Sequence, residues 1–421
     1  MKILIIGGGG REHALAWKIG RDERRPALHI APGNAGTAGL GTNLPIQAED
    51  TAGIIDWAKK EKPDLTVVGP EVPLCLGIVD LMQAEGFRVF GPVKDAARLE
   101  GSKIFTKEIL RAARVPTASS ESFNDESKAL AYIKSHPLPV VIKADGLAAG
   151  KGVVICATLA EAEQAVRQTL TAKIFGKAGQ KILIEEYMEG EEVSVLAFVD
   201  GKKAVLLPTA RDHKRVFDND KGPNTGGMGA YSPAAVENPE FSGMVLKKIF
   251  EPTIKELNRR GICYKGVLYA GLMLTKEGPK VLEFNCRFGD PETQAILPRL
   301  KGSLISAMEA CIDGNLREEH AACRDESCAC VVMASGGYPG HYQKGDVISG
   351  LDAAGKLKNV MIFHAGTKLE NGKVVTAGGR VLGITALGPT LAEAVKRAYE
   401  SAAAIKFNNA HYRRDIASCK G

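Results

Sequence analysis

The sequence predicts a multidomain protein of α/β and α+β class: an open parallel α/β sheet first, an α+β middle, and a small α+β domain at the end. Three observations predict it. At 421 residues the chain exceeds one ordinary domain, taking roughly 150 residues per domain as a guide. Short apolar strands alternate with helical patterns over the first hundred residues, which is the signature of parallel βα units. Further on, two apolar strands bracket a glycine-rich loop at 139–155, the pattern of a hairpin. The expected domains are 1–101, 102–320 and 327–421, with the polar, Cys-containing stretch 316–327 as the last boundary.

In order, Ile3-Leu4-Ile5-Ile6 reads as a buried parallel strand, followed by Gly7 to Gly10 and a helix over 11–19. Strand, glycine loop and helix set backbone N–H groups at a helix N-terminus, a ready anion site. The loop lacks the third glycine of a dinucleotide fingerprint, because Glu12 stands there. The strand Leu28-His29-Ile30 leads to Pro32-Gly33-Asn34 without a ribose-binding acid. A monophosphate or other small anion fits better than NAD; a tight βα turn with no ligand is the alternative. Strands at 65–68 and 87–90, with helices over 51–60 and 76–84, complete an open sheet whose ligands belong beyond the strand ends. Glu71 falls there, either as a partner for a ligand amine or sugar hydroxyl or as an exposed loop acid.

A helix is expected from Lys103 to Ala113, stopped by Val115-Pro116. In the hairpin that follows, Lys143 ends the first strand and Lys151 rides the loop between Gly150 and Gly152. This is no Walker A loop, since Gly152 and then a strand follow the lysine. A flexible tip covering phosphates is the reading, with lysines as point charges. The strand at 182–184 runs into Glu185-Glu186-Tyr187-Met188-Glu189-Gly190-Glu191-Glu192, which is either a solvated turn or an adenine hinge with a ribose-binding carboxylate. Asp212-His213-Lys214-Arg215 is a dense polar knot. Asn224-Thr225-Gly226-Gly227-Met228-Gly229 exposes backbone donors, as a nest for an anion or as a plain surface loop.

In the strand Val281-Leu282-Glu283-Phe284-Asn285, Glu283 and Asn285 are two apart and share one face, which Arg287 continues. A carboxylate, an amide oxygen and a guanidinium so aligned suit a Mg²⁺–polyphosphate complex, because Mg²⁺ takes one or two carboxylates and fills its shell from phosphates and water. A wet polar face on an amphipathic strand is the alternative. Beyond the boundary, strands at 329–334, 360–365, 373–375 and 381–387 and a helix over 391–405 form the last domain, to which no chemistry is assigned. His364 and His411 read as structural.

Composition bounds the function. Apolar content of 45% and charged content of 25% are those of a soluble globular protein. The net charge of +6 is dispersed, with no Lys/Arg run interleaved with aromatics, so anionic small molecules rather than nucleic acid are the expected partners. No stretch approaches a membrane span and the start is too short for a signal peptide. Nine scattered cysteines, of which only Cys323, Cys328 and Cys330 cluster without paired C-x-x-C spacing, read as free thiols of a reducing cytoplasm.

The order of these strings resembles the ATP-grasp ligases, in which two α+β subdomains clasp ATP between antiparallel sheets. Within that superfamily, Gly7-Gly8-Gly9-Gly10-Arg11-Glu12-His13-Ala14, Asp212-His213-Lys214-Arg215, Gly222-Pro223-Asn224-Thr225-Gly226-Gly227-Met228-Gly229-Ala230-Tyr231 and Arg287-Phe288-Gly289-Asp290-Pro291-Glu292-Thr293-Gln294 are most similar to the phosphoribosylamine–glycine ligase (glycinamide ribonucleotide synthetase) family. The likeness covers nearly the whole chain. It implies a central ATP-grasp fold with a mobile lid at about 120–191. It implies that Lys103, Lys143 and Lys151, with Gly150 and Gly152, meet the ATP phosphates. Glu185, Glu186, Tyr187 and Met188 present the adenine hinge, and Glu192 the ribose site. Glu283 and Asn285 hold Mg²⁺ or Mn²⁺. Arg287, Lys214 and Asp212 are catalytic. Gly8, Gly9, Gly10, Glu71, Asp212, Lys214, Gly226, Gly227, Arg287 and Asp290 bind substrate. A second metal acid found in many ATP-grasp enzymes is missing, and Leu274 aligns with its place. The implied reaction joins glycine to 5-phosphoribosylamine through glycyl phosphate, in a cytoplasmic monomer of purine biosynthesis. A carboxylase or transformylase of the same pathway and superfamily is the alternative; a nucleotide-regulated binding protein and a NAD-dependent oxidoreductase are more distant ones.

Overall fold

A computed structural model describes residues 1–148 and 152–418 of the chain. The first hundred residues form a five-stranded parallel sheet in the order β3-β2-β1-β4-β5, with β1 Lys2–Gly7, β2 Ala27–Pro32, β3 Thr42–Asn43, β4 Leu65–Val68 and β5 Val89–Phe90. Ile3, Ile5, Leu65 and Val67 are fully buried, as a sheet covered on both faces requires. One expectation fails here. The single helix over 76–84 is two helices, Glu71–Leu76 and Ile78–Ala84, because Gly77 adopts a left-handed conformation (φ +90°) that ends the first. The Gly69-Pro70 stop therefore ends one residue before Glu71, which opens a helix.

The middle has two antiparallel sheets. One, in spatial order Ser120–Phe123, Ile182–Glu186, Val140–Ala144, Val153–Cys156, carries the helices Glu126–Lys134 and Leu159–Val166. The other runs Ala204–Leu206, Glu191–Asp200, Lys265–Thr275, Gly278–Asn285. This pair of sheets is the ATP-grasp arrangement. The helix Lys103–Ala112 sits between them, its start fixed by the Ser102 hydroxyl accepting from the Phe105 N–H.

The last sheet takes strands from two parts of the chain. Arg211–Asp212 and Gly229–Ser232 pair with each other, and the latter pairs with Ser327–Ala334, followed by Arg380–Gly388 and Val360–His364. The sequence reading treated 209–231 as polar knot and loop. Segments of two and four residues are too short to show the alternation that marks a strand. The helix Leu391–Ala404 lies on this sheet through Ala394, Ala398 and Ala402.

The first sheet and the middle share one core. Phe90, Phe198 and Phe288 meet with ring centroids 6.1–6.4 Å apart, beside Leu304, Ile305 and Met308. Burying each such ring stabilises the joint by about 1.5–3 kcal/mol. The turn after Asn285 is thereby held rigidly against the N-terminal sheet. No helix among the described residues is long and apolar enough to cross a membrane.

Candidate functional site

The strand Gly278–Asn285 sets the site. It pairs with Lys265–Thr275 so that Gly271 faces Glu283 and Tyr269 faces Asn285, and Ser194 faces Gly271 on the far side. Directly opposed residues share a face, so these side chains look the same way. The residue across from Glu283 is thus Gly271, while Leu274, aligned with the place of the missing metal acid, pairs with Pro279. The register shifts by one residue between Gly271 and Leu272, a bulge that leaves Leu282 unpaired. The bulge is used, because the Leu282 carbonyl accepts from the Lys143 ammonium at 3.0 Å.

Glu283 is half-buried, and burial alone would raise its pKa. Lys214, Lys143, Lys103 and Arg287 outweigh that and hold it below the ordinary carboxylate range. These cations come from four segments of the chain. Asn285 is buried, and its Oδ1 accepts from Arg287 Nη2 at 3.1 Å. Among the described residues no three His, Cys, Asp or Glu side chains are grouped to hold a metal unaided. One acid and one amide oxygen nevertheless fit a cation that brings phosphate and water oxygens with it.

Behind Glu283 lies a buried lysine pair. The Glu185 carboxylate bridges Lys143 (2.8 Å) and Lys107 (3.2 Å), and Lys107 also donates to Thr117 Oγ1 and the Ala118 carbonyl. Burial pulls the Lys107 ammonium down to about 8. Lys103 Nζ donates to the Gly146 carbonyl. Next to this trio Ala118, Met188, Met273 and Leu282 form a small apolar cluster. Glu186 and Tyr187 point outward, with Glu186 accepting from the Ser119 N–H. Glu192 lies on the same face as Glu283 and pairs with Lys214 at 2.6 Å. Gly152 closes the hairpin, its carbonyl accepting from the Ala144 N–H. Gly150 and Lys151 lie outside the described residues.

A second group gathers acids. Glu292 Oε1 accepts from Tyr269 OH (2.6 Å) and Ser194 Oγ (3.0 Å). Asp212 has its Oδ1 shut from solvent with no hydrogen-bond partner among the described residues. Burial, reinforced by Glu292, pushes the Asp212 carboxyl well above the usual range, with Lys214 and Arg380 pulling the other way. Gly227 roofs it: a Cβ there would stand 2.7 Å from Asp212 Oδ1 and 2.4 Å from Pro291 Cδ. Asp290 pairs with Arg380 at 3.0 Å and accepts from Gln294 at 2.8 Å. Arg380 Nη1 also donates to the carbonyls of Gly226 and Asp290.

The glycine loop borders a cleft of about 290 Å³ lined by Gly7, Gly8, Gly9, Arg11 and Asp290 among others. Part of the expected anion site is already filled. Glu12, at the third position of the helix Gly10–Ile19, reaches back to the Gly9 N–H at 2.6 Å. Asn34 clamps the loop by donating to the Gly8 carbonyl and to the His364 carbonyl. Gly10 packs on Gln294, since a Cβ there would stand 2.6 Å from its Nε2. Glu71 is no exposed loop acid. Burial pushes it up, but Arg287 and Arg11 dominate and bring it down to about 2. Arg287 in turn pairs with Glu100 (2.7 Å) and Glu71 (3.3 Å).

The sequence reading missed Lys107, Glu100, Tyr269, Glu292 and Arg380. Lys107 could have been found, since it lies four residues after Lys103 on one helix. Glu292 sat inside a quoted string. Nothing local marks Arg380.

Comparison with known proteins matches three family models in succession: the phosphoribosylglycinamide synthetase N domain on residues 1–100, its ATP-grasp (A) domain on 101–293, and its C domain on 328–419. A phosphoribosylamine–glycine ligase of Escherichia coli is 50% identical, over 99% of this chain and 98% of that one. The crystal structure of a phosphoribosylamine–glycine ligase from Thermotoga maritima superposes with a TM-score of 0.87 at 36% identity, covering 99% of this chain and all of the other. The biotin carboxylase domain of a Hydrogenobacter thermophilus 2-oxoglutarate carboxylase, solved with MgADP and bicarbonate, shares the fold (TM-score 0.73, 16% identity, 98% and 91% covered).

Proposed function

The chain belongs to the phosphoribosylglycinamide synthetase family, and from that membership we infer which of its residues carry the ligation. It is an ATP-dependent, ADP-forming carbon–nitrogen ligase of purine biosynthesis, joining glycine to 5-phosphoribosylamine. One observation carries the assignment of the site: Glu283 stands at the meeting point of Lys103, Lys143, Lys214 and Arg287.

Glu283 and Asn285 would hold a divalent cation, Mg²⁺ or Mn²⁺, which suits their hard oxygens and would supply charge neutralisation at the phosphates. The apolar slot of Ala118, Met188, Met273 and Leu282 takes the adenine, with Glu192 at the ribose. Lys103 and Lys143 neutralise phosphate oxygens. A glycine carboxylate oxygen attacks the γ-phosphorus and the bond to ADP breaks, giving glycyl phosphate. Arg287, held in line by Glu71 and Glu100, meets the transferred group. The amine of phosphoribosylamine, with its phosphate in the cleft at Gly8, Gly9 and Gly10, then attacks the acyl carbon. Phosphate departs with its bonding pair. The proton released by the amine goes to Asp212 Oδ1, which has no other hydrogen-bond partner among the described residues. Lys214 faces the developing oxyanion.

A carboxylate is a poor acceptor for an amine, and phosphorylation supplies the leaving group. This is why the site is built from lysines, arginines and acids without a nucleophile triad. Product analysis tests the reading. ADP and phosphate release must require both glycine and phosphoribosylamine, and neither bicarbonate nor formate must replace glycine. Turnover with bicarbonate would favour a carboxylase of the same fold.

A further inference from the structure

The C-terminal sheet reaches the site through one guanidinium. Arg380 opens the strand Arg380–Gly388 and makes three fixed contacts: Nη1 to the Gly226 carbonyl (2.7 Å) and the Asp290 carbonyl (2.8 Å), and Nη2 to Asp290 Oδ2 (3.0 Å). Gly226 is held from its other side too, because its N–H donates to the Tyr338 hydroxyl at 3.0 Å. Both backbone groups of one loop residue are thus gripped from the C-terminal part. The next residue, Gly227, has φ +112° and packs directly on Asp212 and Pro291. A shift of the loop at Gly226 is therefore a shift of the roof over Asp212.

The other end of the grip is at the cleft. Asp290 lines the cleft beside Gly8 and Gly9, and a Cβ on Gly9 would stand 3.6 Å from its Oδ2. Its two carboxylate oxygens are both engaged, Oδ2 by Arg380 and Oδ1 by Gln294. Among the described residues, Arg380 is the one side chain that hydrogen-bonds both Asp290 and the Gly226 carbonyl. Burial works against its charge, and Asp290 with Asp212 and Glu292 more than restore it.

We propose that Arg380 is a positioning residue for the amine-transfer half of the reaction. Its planar fork fixes the distance between Asp290 in the acceptor cleft and the Gly226–Gly227 loop over Asp212, so that the acceptor amine meets the acyl carbon. This rests on the functional reading above and adds to it a task for the third domain. Three contacts in one plane require a guanidinium; an ammonium supplies the charge without the geometry.

The test compares the full-length parent chain with Arg380→Lys and Tyr338→Phe. Two quantities are read. The first is scrambling of ¹⁸O between bridge and non-bridge positions of ATP, with glycine and with ribose 5-phosphate, which fills the cleft but has no amine. This reports glycyl phosphate formation. The second is kcat/KM for phosphoribosylamine. Arg380→Lys is expected to leave scrambling within about 3-fold of the parent and to lower kcat/KM by roughly 10²-fold, the scale of a misplacement of about 1 Å. Tyr338→Phe is expected to show the same selectivity at about 5-fold, the loss of one hydrogen bond. Added guanidinium should restore part of the lost rate to Arg380→Gly and none to Tyr338→Phe. Equal losses in both quantities, or no loss in Arg380→Lys, would overturn the proposal. Should Arg380→Lys fail to fold, Tyr338→Phe decides by the same selectivity. A parent chain with no glycine-dependent scrambling would overturn the functional reading and this inference with it.

Discussion

Two glycine-rich loops border the turn at Asp290, Gly7–Gly10 and Gly226–Gly227, and they are held in different ways. The first is held by neighbours. Glu12, on the helix the loop opens, takes the Gly9 N–H, and Asn34, at the end of the adjacent strand, takes the Gly8 carbonyl. The second is held by strangers, Arg380 and Tyr338, 154 and 112 residues away from Gly226. The lesson is that a run of glycines marks where backbone is approached closely, without saying by what. In both loops part of the approach is made by the protein itself. The glycine loop of the βα unit is held chiefly by its own unit, with one tie to the C-terminal part through Asn34 and the His364 carbonyl; the later one is gripped from the third domain.

Gly227→Ala should break the second loop and leave the first. A Cβ at φ +112° and 2.4 Å from Pro291 cannot be accommodated without moving the loop. We expect kcat to fall by about 10²-fold or more and stability to fall by about 1–3 kcal/mol, read by steady-state kinetics and urea unfolding. Unchanged kcat would mean that the roof over Asp212 carries no catalytic weight. Asn34→Ala should act on the first loop and on its tie to His364, without touching the second loop. Leaving the Gly8 and His364 carbonyls without their donor costs about 1–3 kcal/mol. KM for phosphoribosylamine should rise while glycine-dependent scrambling holds. A rise in KM for ATP instead would show that the two loops are not separate devices.

A smaller effect sharpens the contrast through pH. His13 and His364 lie at the joint between the first helix and the C-terminal sheet, with the His364 N–H donating to His13 Nδ1 at 2.7 Å. Burial lowers both, to about 3 for His13 and about 4 for His364. Their folded pKa values lie below the unfolded value of about 6.5, so the unfolded chain binds protons first. Stability is full above that value and declines as pH falls toward 4. Urea midpoints between pH 7 and 4.5 should therefore fall in the parent and fall less in His13→Gln, the difference between the two isolating the histidine from the carboxylates. Identical slopes would remove these histidines from the account.

Legibility followed the same division. The parallel sheet, the hairpin at Lys143 and the face shared by Glu283 and Asn285 could be read because each depends on spacing within a few residues. The bulge at Leu282, which moves the partner of Glu283 by one residue, from Ala270 to Gly271, could not, since it exists only in the pairing of two strands. Gly229–Ser232 was passed over as loop because its pairing partner, Ser327–Ala334, lies about a hundred residues away. The charge chain Arg11–Glu71–Arg287–Glu100 was partly visible as a list of residues and invisible as a chain.

The most direct test is of the pair Glu283 and Asn285. Crystals grown with ADP and Mn²⁺ would locate the cation by its anomalous signal, in the parent and in Glu283→Gln. We expect the ion bound to Glu283 and Asn285 oxygens at roughly 2.0–2.3 Å and lost or displaced in the variant. A cation held by the nucleotide alone, or by Glu71 and Glu100, with the same position in both crystals, would contradict the account.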